Sequence, residues 1–85
     1  MREIYKRLPT DKAIAVRSDL FAPHGFALSH KSAFGIEWRA DNGARIEWIF
    51  HTPTDTPYTV LFDRASYRVH TAENAILCLQ HYGAI

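Results

Sequence analysis

Cysteine is nearly missing from this sequence. The 85 residues contain one, Cys78. That excludes an internal disulfide and any cysteine-built zinc site, and the expected setting is a reducing cytoplasm. Glycine is sparse as well. Gly25, Gly35, Gly43 and Gly83 are scattered, so there is no glycine-rich loop to cradle a phosphate. Charge of either sign is lacking in excess: ten Lys and Arg stand against nine Asp and Glu, for a net of +1. This excludes an acidic nucleic-acid mimic and a polybasic arm that binds through bulk charge. No apolar run approaches the roughly 18–20 residues of a membrane helix. The start, Met1 to Arg7, has no apolar stretch of the secretory kind. No membrane partner is expected. The length is too short for a Rossmann or barrel enzyme and implies a single domain over residues 1–85 with one modest core.

What the sequence has is aromatic side chains: two Trp, four Tyr and five Phe. Several lie in its clearest segment, residues 34–50. Phe34, Ile36, Trp38 and Ala40 alternate with Gly35, Glu37, Arg39 and Asp41, and Ala44, Ile46, Trp48 and Phe50 alternate with Arg45, Glu47 and Ile49. Period two with aromatic and β-branched residues predicts strands, and Asn42-Gly43 between them predicts a hairpin. A two-residue turn would pair Trp38 with Glu47 and mix the faces. An odd loop restores them. Loop 41–43, with Gly43 left-handed, sets Trp38 opposite Ile46 and Ile36 opposite Trp48, but also Arg39 opposite Arg45 and Glu37 opposite Glu47. Loop 42–44 matches the charges instead. Turn chemistry favours the first, because cross-strand ion pairs are worth only about 0.2–1 kcal/mol.

Residues 51–57 are a polar turn cluster with two prolines, Pro53 and Pro57. Tyr58, Val60 and Phe62 share one face of a third strand. Residues 65–69 read as a short fourth strand or the entry to a helix. Residues 72–82 predict that helix: Thr71 is its N-cap, Glu73 lies in its first turn, Ala72, Ala75, Ile76, Leu79 and Tyr82 form its stripe, and Gly83 ends it. The N-terminal third speaks less clearly. Residues 10–22 read as a helix with Ala13, Val16, Leu20 and Phe21 inward, although Ile14 and Val16 also suit a strand. Ile4–Leu8 reads as an edge strand, and residues 26–31 stay unassigned. The expected fold is α+β: an antiparallel sheet of three to four strands, built on hairpin 34–50, covered by the C-terminal helix over Ile36, Trp38, Ile46, Trp48 and Phe50, with an N-terminal helix in addition.

Candidate chemistry is thin. The histidines, 24, 30, 51, 70 and 81, lack metal-ligand spacing, and Cys78 with His81 supplies only two ligands, so no metal and no cofactor is expected. Asp63, Ser66 and His70 are the residue types of a nucleophilic triad without a glycine-flanked serine, and Cys78 beside a packing stripe is an inert thiol. No catalytic residue is assigned, and the chain is expected not to be an enzyme. No stretch matches a family motif. In general habit the chain resembles small accessory proteins of phages and mobile elements, anti-CRISPR inhibitors and antitoxin-like modules among them. This is a likeness of type, which implies an inhibitor or accessory protein that binds a protein or ribonucleoprotein partner. The hairpin's charged face is the candidate surface, with Arg39, Asp41, Arg45 and Glu47 as partner-binding residues. The alternative is a nucleic-acid-binding domain. Residues 1–39 carry a net +3 and residues 40–85 a net −2, and Arg2, Lys6, Arg7, Lys12 and Arg17 would meet phosphates.

Overall fold

The computed structural model describes residues 9–50 and 54–85. The elements run in the order α1 (Asp11–Phe21), a 3-10 turn (Ala22–His24), β1 (Phe26–Lys31), β2 (Gly35–Ala40), β3 (Arg45–Ile49), β4 (Tyr58–Phe62), β5 (Ala65–Val69) and α2 (Ala72–His81). The five strands form one antiparallel meander in sequence order. The fold is therefore α+β as expected, with five strands in place of three to four. The unassigned segment 26–31 is β1, and residues 65–69 are a strand in their own right. The strand expected over Ile4–Leu8 lies outside the described residues.

β1 escaped notice for a physical reason. It is an edge strand with only Phe26 buried, and a bulge between Leu28 and His30 breaks its alternation. β4 and β5 are joined by a two-residue turn, Asp63-Arg64, whose φ values of 47° and 66° are both left-handed. That is the backbone of a tight hairpin turn that glycine or asparagine usually fills.

The β2–β3 register follows the 41–43 loop. Trp38 faces Ile46, Ile36 faces Trp48, Arg39 faces Arg45 and Glu37 faces Glu47. Gly43 has φ 91°, and its N–H donates to the Ala40 carbonyl at 3.0 Å. Asn42 works on both sides of the loop: its Oδ1 accepts from the Ala44 N–H at 3.0 Å, and its Nδ2 donates to the Ala84 carbonyl at 2.7 Å. The chain end is thereby tied to the hairpin tip.

Both helices begin at threonine caps, Thr10 onto the Ala13 N–H and Thr71 onto the Asn74 N–H. α2 ends in the paired bonds of a left-handed glycine cap, Gly83 N–H to the Gln80 carbonyl and Ala84 N–H to the Leu79 carbonyl. Ala72, Ala75, Ile76 and Leu79 are buried, whereas Tyr82 is exposed.

The two helices cover the same face of the sheet but divide it otherwise than expected. α2 lies against β4 and β5, and α1 lies on the β1 side. It is α1 that covers Trp38: Phe21 meets the indole edge-on at 4.9 Å, and the Ser18 hydroxyl accepts from Trp38 Nε1 at 2.8 Å. The inward stripe of α1 is Ile14, Ser18 and Phe21, and Val16 is exposed. The α1 face drawn through Val16 is thus corrected, because polar residues occupy part of the true stripe.

Trp38, Phe21, Ile46, Leu79 and Val60 are the largest fully buried side chains. Trp38→Ala should lower unfolding stability by about 3–5 kcal/mol, a large share of what so small a domain possesses. Urea denaturation measures it. A loss below about 1 kcal/mol would place Trp38 outside the core.

Candidate functional site

Alternation sends the odd-numbered residues of β2 and β3 away from the helices. No described element packs over them. On this open face Arg39 stands opposite Arg45 and Glu37 opposite Glu47, a pairing that costs energy if left alone. The structure relieves it through one carboxylate. Glu37 Oε2 lies 3.0 Å from Arg39 Nη2, and Oε1 lies 3.6 Å from Arg45 Nη1. Ser29, the extra residue of the β1 bulge, donates its hydroxyl to Oε2 at 2.7 Å. The Glu37 side chain keeps only 15% of its exposure while that of Arg39 keeps 54%, so two guanidinium groups sit above a sunken carboxylate.

Burial pushes the Glu37 pKa up. The Ser29 hydrogen bond and the charges of Arg39 and Arg45 together outweigh it, and the net value falls below the ordinary carboxylate range. Glu47 makes no ion pair among the described residues and is half-buried. Half-buried Leu61 lies beside Arg45 on β4. Arg68 of β5 also belongs to this face, but Nε and Nη2 are both held by the Thr56 carbonyl, at 3.0 and 2.8 Å.

Of the four partner-binding candidates, Arg39, Arg45 and Glu47 share this face, and Asp41 is exposed at the adjoining turn. The sequence places Glu37 on the same charged face, two residues before Arg39, but the partner-binding set drawn from it leaves out Glu37, which organises the face. That set also leaves out Ser29, whose role depends on a bulge that no residue pattern announced.

The basic candidates do not form a group here. Arg2, Lys6 and Arg7 lie outside the described residues. Lys12 is exposed on α1. Arg17 turns inward: its guanidinium carbon stands 3.9 Å from the Trp48 ring centroid, Nε donates to the Tyr58 hydroxyl at 2.6 Å and Nη1 to the Ala13 carbonyl at 3.0 Å. It pins α1 to the sheet. A shallow cleft of about 380 Å³ beside it is lined by Trp48, Tyr58, His70 and Glu73 among others, and Arg17, its cation, is already bonded.

Asp63 and His70 flank opposite ends of β5. The five-residue strand Ala65–Val69 lies between them and spans about 16 Å, so they do not meet around Ser66. Burial raises the pKa of the half-buried Cys78, which keeps it a thiol. Among the described residues no three His, Cys, Asp or Glu side chains gather as metal ligands, and no helix is long and apolar enough to cross a membrane. No family model, curated protein or solved structure matches the chain.

Because the folded pKa of Glu37 is depressed, its contribution to stability is complete above the unfolded value, about 4.3. It is lost as pH falls through the lower folded value. Glu37→Gln has no such titration. Urea melts at pH 6 and pH 3 should show the variant losing less stability between the two than the unmodified protein. Equal losses would mean that the arginines do not hold this carboxylate.

Proposed function

We propose that this protein is a non-enzymatic binding module that docks a protein or ribonucleoprotein partner on the open face of its sheet. One observation carries the reading. Both helices are spent on one side, and the other side presents Arg39 and Arg45, fixed by Glu37, around half-buried Leu61 and Glu47. Arginine held in place loses less conformational freedom on binding than arginine swinging in water, and arginine is among the residues that dominate interface energy. The mixed signs suit the polar rim of a protein interface better than a phosphate backbone. By its likeness in general habit to such proteins, we read the module as a cytoplasmic inhibitor or accessory protein of phage or mobile-element type.

The test begins with affinity capture from the source cells and then asks which side chains carry the capture. Arg39→Ala and Arg45→Ala should each leave unfolding stability within about 0.5 kcal/mol. Each should weaken partner binding by about 1–2 kcal/mol or more. Undiminished binding of both variants would remove the open face from the interface. A nucleic-acid partner would declare itself differently. Retention on DNA or RNA would fall steeply with salt and would vanish when Lys6, Arg7 and Lys12 are replaced by Gln. A protein interface responds weakly to salt.

A further inference from the structure

The two edges of the sheet are treated unequally. β1 is blunted by the Ser29 bulge, and its last residue is Lys31. Bulges and edge lysines are the devices that keep strand edges from pairing. β5, the opposite edge, has neither. It is five residues without proline, glycine or bulge, in unbroken register with β4. Its one charge, Arg68, is folded back on the Thr56 carbonyl. Beside it lies an aromatic stack: Phe62 on Tyr67 at 5.8 Å, Tyr67 on Tyr82 at 4.8 Å, with Tyr82 about half exposed.

The hydrogen-bond phase of this edge follows from its turn. Across a two-residue hairpin the flanking residues, Phe62 and Ala65, form a hydrogen-bonded pair. Alternation then turns the N–H and C=O groups of Ala65, Tyr67 and Val69 toward β4. Those of Ser66 and Arg68 point outward. A second β5 related by a two-fold axis must pair outward residues with outward residues, which leaves three central registers. Centring on Ser66 sets Arg68 against Arg64 of the other copy. Centring on Arg68 sets it against itself. Centring on Tyr67 pairs Ser66 with the other Arg68 through both backbone bonds, twice over, and opposes no two arginines. It also brings the two tyrosines into the closer, non-hydrogen-bonded position, which joins the two aromatic stacks on the helix side.

We propose that β5 is a homodimerisation edge, pairing antiparallel with β5 of a second copy about Tyr67 to give one continuous ten-stranded sheet. Such a contact is isologous and closed, so it yields a dimer and no fibre. The open faces of both copies then lie on one side.

Sedimentation equilibrium of the whole chain from about 10 μM to about 1 mM should show a monomer–dimer equilibrium. Hydrogen exchange at the Ser66 and Arg68 amides should slow as dimer accumulates, while the amides of β1 stay unchanged. Three substitutions at one position read the register. Ser66→Pro removes an outward N–H that no described residue accepts and should raise the dimer dissociation constant at least tenfold. Ser66→Arg places arginine against Arg68 in two symmetric pairs and should raise it by a similar factor. Ser66→Glu should lower it several-fold. A chain that stays monomeric throughout the range overturns the proposal, as does a dimer indifferent to all three substitutions or one whose exchange protection falls on β1. Circular dichroism of each variant at low concentration confirms that the monomer is folded.

Discussion

Gly43 holds a left-handed backbone at the tip of the β2–β3 hairpin, and through it that loop sets the parity of the whole sheet. With three residues in the connection, Ile36, Trp38, Ile46 and Trp48 share one face. Two residues would have scattered them over both. Once β2 and β3 agree, β4 inherits the same alternation by pairing and β5 inherits it from β4, while β1 follows it only as far as its bulge. One face becomes continuous and apolar enough to bury Trp38 and Ile46 completely, and both helices have a single place to go. A side chain at position 43 would have to adopt an unfavourable backbone, so the parity depends on a residue with no side chain at all.

The same parity forces like charges together on the other face. Arg39 cannot avoid Arg45, nor Glu37 avoid Glu47. The response is diagonal: Glu37 draws in both arginines, and the β1 bulge delivers Ser29 to the same carboxylate. The bulge therefore does two things at once. It blunts an edge, and it supplies the hydrogen bond that helps keep a half-sunken carboxylate ionised. The arrangement on the open face is in this sense a consequence of the core on the opposite face.

Much of this was legible in the residues. The hairpin, its register, both threonine caps, the Gly43 and Gly83 positions and the stripe of α2 through Leu79, though not its expected last member Tyr82, all follow from local pattern, because in each of them apolar periodicity and turn chemistry agree. The failures share a cause. α1 turns Arg17 and Ser18 toward the sheet, where they bind Trp48, Tyr58 and Trp38. Polar residues in an inward stripe erase the periodicity on which a helical face is read, and the reading shifted to Val16. β1 has one buried residue and a bulge, so its period is also absent. At the candidate site, Arg39, Arg45 and Glu47 could be read from alternation within one hairpin. Ser29 could not, since its partner lies on another strand.

Where a domain this small can carry function is restricted by its layers. One sheet and two helices on the same side make a single core, and the described clefts are shallow and solvent-facing. Of the candidate catalytic residue types, Asp63 and Ser66 line one of these clefts, His70 lines another, and Cys78 packs beside the core. The chemically distinctive surfaces are the ones the helices leave uncovered: a face on which two arginines pair with one carboxylate, and an edge strand without bulge or proline whose one charge, Arg68, is bonded to the Thr56 carbonyl. Both are suited to holding another macromolecule. They are perpendicular to each other, so occupation of the edge leaves the face open and doubles its area. If the edge pairs as proposed, a partner that spans both copies would gain from two weak contacts at once.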